Sequence, residues 1–497
     1  MATAVVEERQ LLKAITWKDG FVLALANPGF LFASIGASIG AIGAWAAVLL
    51  WSISMIIGLL LAWVYSEMAA MFPEKSGGIA LYAHEAWRRY STLVGPVATF
   101  GYWFAWSSVL AIFGLIIGTL IQQQWFPHAT WTAWDGFTHI GLPHAIAGGL
   151  VVTVWAFNII GIRPSVKVAY VTGGLLVLDM AILVVGAFVS GHWNSSRLTW
   201  TLGSAGPSWK VAVVWLYIMG WSSYGCEVCA TIAPEYKDTL TDTGRALRRS
   251  SVFSLGCYML IPLALGGLVT QQTALNNPVG LFSPAFNDLV GSTVGGVLVA
   301  FLCASLFLSM NTATMDGGRA LYGIARDRMT IRQLYHLNRF HVPGRAMTVD
   351  LFVNLFLVFV IGTTVSILFT GNLGYFFAVL AAVSGFILLR KDRPDWPRTI
   401  RLPRVWVGVA AFLFVVNLMF LIFGVSNPKI TGYGGTKEVL IGVAVLAVSV
   451  VLYAFRRVVQ DKERLRFREE PSEAPAAELL GEAAKRDEAA RVGVDVS

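Results

Sequence analysis

Long apolar runs separated by short polar segments make up most of the chain. Twelve of these runs approach the roughly 20 residues that a helix needs to cross a bilayer. They are Trp17–Ile39, Ala46–Phe72, Thr92–Gln123, Pro143–Ile162, Val166–Val189, Trp209–Ile232, Val252–Thr270, Thr293–Ile324, Met347–Leu368, Gly374–Leu389, Val405–Val425 and Val439–Ala454. The pattern predicts an all-α polytopic membrane protein with twelve transmembrane helices.

Composition supports this class. Of 497 residues, 56% are hydrophobic and 13% are charged, whereas soluble domains carry about 25% charged residues. Residues 1–16 lack the basic, apolar and small order of a cleaved signal peptide. We therefore expect a short cytoplasmic N-terminal segment at 1–16, a transporter-sized domain at 17–457 and a charged tail at 458–497 that is disordered or forms a short surface helix.

The placement of basic residues predicts the orientation. With the N-terminus inside, only four of the 37 Lys and Arg residues fall in outer loops, namely Arg197, Lys210, Lys429 and Lys437. Lys and Arg concentrate in cytoplasmic loops, so both termini are expected to lie in the cytoplasm. The membrane is expected to be the plasma membrane. The same asymmetry explains the net charge of +8 without a nucleic-acid partner.

Cysteine and histidine patterns predict no cofactor and no metal. Cys226 and Cys229 form a C-x-x-C, but no second cysteine pair or histidine is near, which favours a packing role. None of the seven histidines belongs to a cluster with Asp, Ser or a second His within a span, as a membrane-embedded enzyme would need. We therefore expect that the protein is not an enzyme.

The first span contains an Asn-Pro-Gly that breaks its apolar pattern. Asn is a favoured N-cap and Pro a favoured first helical residue, so one half-helix is predicted to end near Ala26 and a second to start at Pro28, with Asn27 as the cap. A proline kink is the alternative. If the helix breaks there, the N–H groups of Gly29, Phe30 and Leu31 have no helical partner. Such free N–H groups at a helix N-terminus can bind a carboxylate.

The sixth span carries a second interruption. Gly220, Ser222, Ser223 and Gly225 cluster in its middle, and Glu227 follows at membrane depth. Interrupted spans at corresponding positions of two halves indicate a transporter binding site. Spans one and six are five apart, which predicts an inverted five-plus-five repeat over about 17–190 and 209–390, with two extra helices within 405–454.

Four stretches carry a family resemblance. They are "WVYSEMAAMFPEKSGGIALYAHEAW", "FNIIGIRPSVKVAYVT", "MNTATMDGGRALYGIARDRM" followed by "NRFHVPGRAM", and "FILLRKDRPDWPRTIRLP". Their order and spacing over roughly residues 15–405 resemble the amino acid–polyamine–organocation permease superfamily. The resemblance implies the LeuT-like fold, an inverted five-plus-five repeat with broken helices one and six.

The resemblance also implies roles for particular residues. Gly29 matches a glycine whose backbone faces the substrate carboxylate, and Trp221 matches an aromatic gate. Ser222 and Gly225 match positions that line the substrate. Glu227 matches an acid implicated in proton sensing in arginine–agmatine antiporters. The chain departs from the family at Asn27-Pro28, which replaces a small pair, and in span five, which lacks the Lys of many proton-coupled members.

Other candidates come from the residues themselves. Asp179 lies deep in span five, and an acid at that depth is a functional candidate; its alternative is an acid paired with loop bases. Ser305 and Ser309 share a face of span eight and are either a sodium site or packing residues. Trp106 of span three either lines the site or packs against it.

Together these features predict a secondary active transporter. Its expected substrates are amino acids or related amines, moved by alternating access through proton-coupled symport or exchange. The expected partners are the substrate, the proton and the bilayer, in a monomer or homodimer. A sodium-coupled symporter is one alternative, and a channel or sensor on the same scaffold is another.

Overall fold

The computed structural model describes residues 10–135, 139–361, 364–432 and 434–472. Most of this part of the chain is helical. The α-helices are α1 (Trp17–Ala24), α2 (Ala26–Leu31), α3 (Ile35–Ile42), α4 (Ala44–Met71), α5 (Gly78–Trp87), α6 (Val94–Ser107), α7 (Val109–Trp125), α8 (Leu142–Ile159), α9 (Ile162–Val189), α10 (Ser208–Ser223), α11 (Val228–Thr231), α12 (Asp242–Leu268), α13 (Gln271–Asn276), α14 (Phe282–Val290), α15 (Ser292–Arg326), α16 (Gly344–Phe356), α17 (Thr364–Asp392), α18 (Val405–Ser426) and α19 (Thr436–Phe455).

Shorter elements connect these helices. One-turn 3-10 helices lie at Ser195–Arg197, Gly225–Glu227, Ala233–Glu235 and Arg332–Leu334, and π-helical turns at Leu357–Ile361 and Arg456–Gln460. Two strands, β1 (Thr132–Asp135) and β2 (His139–Gly141), pair antiparallel between α7 and α8. This two-stranded sheet is an addition to the predicted all-α architecture.

Eleven helical segments in the described residues are long and apolar enough to cross a membrane. They correspond to the predicted spans other than the sixth and are Trp17–Ile42, Ala44–Met71, Val94–Trp125, Leu142–Ile159, Ile162–Val189, Asp242–Leu268, Ser292–Arg326, Gly344–Ile361, Ser366–Asp392, Val405–Ser426 and Thr436–Gln460. The predicted sixth span, Trp209–Ile232, is divided into α10, a 3-10 turn and α11. The protein is thus a predominantly helical, multi-pass membrane protein.

The predicted boundary between the ninth and tenth spans is wrong. The ninth span was expected to end at Leu368 and the tenth to start at Gly374, but α17 begins at Thr364 and runs through both positions. Its glycines serve packing rather than a turn. A Cβ atom on Gly374 would lie 2.5 Å from the Cα atom of Gly101 in α6, so the two helices approach as closely as small residues allow.

Loops rich in Lys and Arg meet at one end of the bundle, which we call the basic end. Ion pairs join the segments that follow α4, α5, α15, α17 and α19. The basic side chains that define this end are Lys75, Arg88, Arg328, Arg390, Arg393, Arg398 and Arg457.

Part of the predicted tail lies against this end. The backbone N–H of Glu469 donates to the carbonyl of Arg88 at 2.8 Å, so the tail predicted at 458–497 begins with a stretch held by the bundle. Residues 473–497 lie outside the described residues.

Glu67 links the ends of α4 and α17. Its carboxylate accepts from Arg390 Nε at 3.0 Å, from Arg390 Nη2 at 2.5 Å and from Arg398 Nη1 at 2.7 Å. The backbone N–H of Leu402 adds a fourth bond at 2.8 Å. Glu67 is fully buried and the Arg398 side chain is 3% exposed, so the charges depend on each other for compensation.

We predict that Glu67→Gln destabilises the protein. The substitution keeps the side-chain shape but leaves the buried Arg398 guanidinium without its counter-ion, which typically costs about 3–5 kcal/mol. The measurement is thermal unfolding of the purified protein in detergent. Glu74→Gln is the matched control, because Glu74 pairs with the exposed Lys13 and such surface pairs contribute about 0–1 kcal/mol. Equal melting temperatures for the two variants would contradict the prediction.

Candidate functional site

The first span is interrupted twice. Leu25 separates α1 from α2, and three turn residues, Phe32–Ser34, separate α2 from α3. The N–H groups of these turn residues bond three positions back along the chain, as that of Phe32 does to the carbonyl of Gly29 at 3.2 Å. Both interruptions lie at positions other than the predicted one.

The Asn-Pro-Gly sequence lies inside α2. The predicted boundary between Ala26 and Pro28 is wrong, because α2 starts at Ala26 and its cap position is Leu25. Pro28 falls in the first turn, where N–H groups have no helical partner, so its missing N–H costs nothing. Asn27 is therefore not an N-cap, and Gly29, whose N–H was expected to be free, belongs to the same helix.

The Asn27 side chain joins the two interrupted spans. Its Nδ2 atom donates to the carbonyls of Ser222 and Ser223 at the end of α10, both at 3.2 Å. The Tyr258 hydroxyl on α12 lies 2.9 Å from the Asn27 carbonyl and 2.7 Å from that of Ser222. Carbonyls at a helix end lack helical donors, so in an apolar bundle they depend on such side chains.

Two glycines let the sixth span approach its neighbours. A Cβ atom on Gly225 would lie 3.0 Å from Asn27 Nδ2 and 3.0 Å from the ring of Phe30. A Cβ atom on Gly220 would lie 2.6 Å from the ring of Phe376 on α17. A larger residue at Gly225 would push the interrupted segment away from the first span, and one at Gly220 would push it away from α17.

An aromatic cluster lies against this junction. The Phe30 ring stacks on that of Trp221, with centroids 5.4 Å apart, and contacts the rings of Trp106 at 5.3 Å and Phe113 at 5.4 Å. Trp221 Nε1 donates to the carbonyl of Ala105 at 3.4 Å, which fixes the stacked ring against α6.

All ten residues predicted to bind substrate are buried. Seven of them, all but Pro28, Gly29 and Gly220, are linked to one another by the contacts described above, and they lie on α2, α6, α10 and the following turn. The ten are Asn27, Pro28, Gly29, Phe30, Trp106, Gly220, Trp221, Ser222, Ser223 and Gly225.

Glu227 is buried beside the aromatic cluster. Its Oε1 atom accepts from the Tyr375 hydroxyl at 2.5 Å and from Trp106 Nε1 at 3.2 Å. Its Oε2 atom has no hydrogen-bond partner in the described residues. The acid is thus held by neutral donors, with one oxygen left to bind a proton.

A second acid, which no sequence pattern singled out, lies close to Glu227. Asp316 on α15 is fully buried, and its Oδ1 atom accepts from the Tyr102 hydroxyl at 3.0 Å and from Thr231 Oγ1 at 2.6 Å. The rings of Tyr102 and Tyr375, which bond Asp316 and Glu227 respectively, have centroids 6.3 Å apart. Asp316 stands in the stretch "MNTATMDGG", and the depth of an acid within a span is the signal that could have identified it.

Asp179 lies elsewhere. It is buried on α9, and neither carboxyl oxygen has a hydrogen-bond partner in the described residues. It is close enough to interact electrostatically with Cys303 on α15, whereas the contacts of Glu227 come from α6 and α17. The two acids predicted to couple protons are therefore not joined by hydrogen bonds among the described residues.

Only one residue of the predicted serine pair contacts the first span. Ser309 Oγ donates to the carbonyl of Ala26 at 3.4 Å, but Ser305 Oγ donates to a carbonyl of its own helix at 2.7 Å. Thr312 Oγ1, which no sequence pattern singled out, donates to the carbonyl of Leu23 at 3.1 Å. On α15, the hydroxyls of Ser309 and Thr312 therefore bond carbonyls of the first span.

These features match a family of known proteins. A family model described as amino acid permease matches residues 15–452, which is most of the chain. The chain belongs to this amino acid permease family, and the resemblance to the amino acid–polyamine–organocation superfamily is confirmed.

Individual relatives are distant. The chain is 23% identical over 249 residues to a putative arginine/ornithine antiporter of Escherichia coli, which covers 49% of the chain and 53% of the relative. It is 25% identical to the gamma-aminobutyric acid permease of Bacillus subtilis, covering 65% and 66%, and 24% identical to a histidine permease of Lactococcus lactis, covering 72% and 73%. The chain thus spans about half the length of the first of these relatives.

We predict that Tyr258→Phe lowers stability. The change removes only the hydroxyl between the carbonyls of Asn27 and Ser222, and a buried acceptor left unsatisfied costs about 1–3 kcal/mol. Thermal unfolding in detergent measures the effect. Tyr217→Phe is the matched control, because the buried Tyr217 hydroxyl has no hydrogen-bond partner in the described residues. The account of the junction fails if Tyr258→Phe melts no earlier than Tyr217→Phe.

Proposed function

We propose that the protein is an amino acid transporter that works by alternating access at the junction of the first and sixth spans. The observation that carries this proposal is the bonding of the Asn27 amide to the carbonyls of Ser222 and Ser223, in a chain of the amino acid permease family. Interrupted spans in such proteins hold the substrate.

The substrate ammonium is proposed to bind the carbonyls at the end of α10. In the present conformation the Asn27 Nδ2 group donates to those of Ser222 and Ser223, so an NH donor already occupies the position that an ammonium would take. The carboxylate is proposed to lie against the backbone near Gly29 and Phe30, once α2 opens at its flanking turns. The Trp221 ring closes over the substrate side chain.

The site favours a neutral amino acid or an amine. Aromatic rings and backbone carbonyls surround it, and no Arg or Lys of the described residues makes an ion pair with Glu227. A substrate with an acidic side chain would find no counter-charge there. The relatives named above differ in their substrates and do not decide the question.

The same proposal includes the orientation, the number of spans and the oligomeric state. The basic end faces the cytoplasm, as Lys and Arg do in inner loops, and both termini lie there in a plasma membrane. The divided segment Trp209–Ile232 completes twelve spans, arranged as an inverted five-plus-five repeat with two extra helices. The protein works as a monomer or homodimer.

Proton coupling is proposed through Glu227 and Asp179. Both are buried acids without a cationic partner among the described residues, and such acids in membrane proteins serve proton transfer. Sodium coupling is the second candidate. It is favoured by the hydroxyls of Ser309 and Thr312, which bond carbonyls of the first span.

Uptake into proteoliposomes tests the function. A pool of labelled amino acids is offered with a proton gradient, with a sodium gradient, or with unlabelled amino acids preloaded inside. We expect accumulation with the proton gradient or with preloading. Uptake driven only by sodium would favour the second candidate, and no uptake in any arm would contradict the proposed function and favour a channel or sensor.

We predict that Gly29→Val strongly reduces transport. A Cβ atom at Gly29 would lie 2.9 Å from Ser309 Oγ, so the larger side chain separates α2 from α15 and distorts the proposed carboxylate site. Uptake should fall by about tenfold or more, since overpacking costs about 1–3 kcal/mol. Gly29→Ala should lose less, and adding Ser309→Ala should restore part of that loss by removing the hydroxyl.

The control for this series is Gly174→Val. A Cβ atom at Gly174, on α9, meets no atom within 4 Å, so valine there should leave uptake unchanged. Normal uptake by Gly29→Val would show that the backbone at Gly29 does not contact the substrate.

A further inference from the structure

Glu227 and Asp316 are two buried acids without a cation. In the part of the chain that the structure describes, neither forms an ion pair. Arg319, one turn beyond Asp316 on α15, is instead held by Glu235 in a two-point pair, with Nη2 and Oε2 3.0 Å apart. Its charge is therefore already neutralised, and either acid can take up a proton without losing an ion pair.

A small cavity lies between Asp316 and the basic end. Its volume is about 10 Å³, enough for about one water molecule. Among the residues that line it are His84, Thr99 and Asp327. Both ring nitrogens of His84 and the hydroxyl of Thr99 are buried without a hydrogen-bond partner in the described residues. These polar atoms can form hydrogen bonds with a water molecule in the cavity, or accept and release a proton there.

The small cavity lies next to Asp316 and its hydrogen-bond partner Tyr102 along the same two helices. Ala320, which also lines it, follows Asp316 by one turn of α15. Thr99 precedes Tyr102, the hydrogen-bond partner of Asp316, by one turn of α6. One turn is about 5 Å along a helix, so the cavity lies about one turn from Asp316 in the direction of the basic end.

Asp327 connects the cavity with the surroundings. It also lines a second cavity of about 440 Å³ at the basic end, together with Arg88, Arg328 and Arg457. The Asp327 side chain is 18% exposed and pairs with Lys75 at 3.5 Å. A proton can thus reach Asp327 from water and move from there to the small cavity.

His84 is suited to pass a proton on. Burial lowers its pKa to about 4, against the opposing effect of Asp327 and Glu85, so at neutral pH the ring is uncharged and offers one donor and one acceptor. The other charged groups that face it are Arg88 and Lys75. Burial alone would raise the pKa of Glu85, but Lys75 and Arg88 hold it well below its ordinary value, so Glu85 stays ionised.

The groups that face Asp316 and Glu227 are neutral hydrogen-bond donors or other acids. Asp316 faces Glu227, Asp350 and Tyr102, from the 3-10 turn, α16 and α6. Glu227 faces Tyr375 of α17 and Trp106 of α6, and its charge also acts on Tyr65 of α4.

We propose that protons pass between the basic end and Glu227 along Asp327, His84 and Asp316. His84 accepts a proton on one ring nitrogen and releases one from the other, so the step needs no further reactant. Asp316 holds the proton next. Between it and Glu227 lie Tyr102 and Tyr375, each of which bonds one of the two acids and whose ring centroids are 6.3 Å apart. The inference rests on the proposed function and adds a proton-binding residue to it.

Asp316→Asn tests the path. Asn keeps the oxygen that accepts from Tyr102 and Thr231 but cannot bind a proton at neutral pH. Accumulation driven by a proton gradient should fall by about tenfold or more, and its pH dependence should flatten. Exchange against preloaded amino acid, which needs no net proton movement, should stay within about twofold. Retention of both activities would overturn the proposal, as would loss of both in a folded protein.

Asp350→Asn is the matched control. Asp350 is also fully buried, and its Oδ1 atom accepts from Trp103 Nε1 at 2.5 Å while Oδ2 has no partner in the described residues. It does not line the small cavity. Proton-driven uptake should survive this change, and an equal loss in Asp350→Asn would show that any buried acid matters and so overturn the specific path.

Infrared difference spectra of the reconstituted protein, recorded between two pH values, give a second readout that does not depend on transport. The wild type should show a protonated-carboxyl band that Asp316→Asn lacks, and identical spectra would overturn the proposal. If Asp316→Asn does not fold, Thr231→Val serves instead. It removes one hydrogen bond to Asp316 and should shift that band, and an unshifted band would overturn the proposal. Failure of the wild type to transport would count against the proposed function. The protonated-carboxyl band would still test whether Asp316 binds a proton.

Discussion

Backbone carbonyls at the interruptions of apolar helices must find donors within the protein, because a bilayer supplies none. The Asn27 amide and the Tyr258 hydroxyl supply them at the end of α10. The end of α10 therefore depends on a side chain of the first span and one of α12, which holds the first and sixth spans together. Gly225 leaves room for this approach, and the stacked rings of Phe30 and Trp221 complete the junction. The candidate site is therefore a consequence of how two broken helices satisfy each other.

The buried acids fall into two groups with different consequences. At the basic end, Glu67 and Glu85 are surrounded by arginine or lysine and hold loops and helix ends together. In the interior, Glu227 and Asp316 accept hydrogen bonds only from neutral donors in the described residues. The first group is paired with cations, whereas the second has no cationic partner in the described residues. This division separates the stabilising acids from those suited to move protons.

Hydropathy predicted most of the fold, because the length of an apolar run is a local property. It could not place the breaks correctly, since Pro28 is harmless in the first turn of a helix and Gly374 serves helix packing rather than a turn. The two interrupted spans were identified from local patterns, an Asn-Pro-Gly in the first and a cluster of Gly and Ser in the sixth. The bond between Tyr102 and Asp316 joins residues 214 positions apart, and no local pattern in one sequence reveals such a contact.

The most direct test of the account is a cryo-electron microscopy structure of the protein in lipid nanodiscs with a transported amino acid bound. We expect ligand density between α2 and α10, with the ammonium against the carbonyls of Ser222 and Ser223, the Trp221 ring over the side chain, and the Asn27 amide displaced. Density at another place, with the bonds of Asn27 to α10 unchanged, would contradict the claim that the paired interruptions form the binding site.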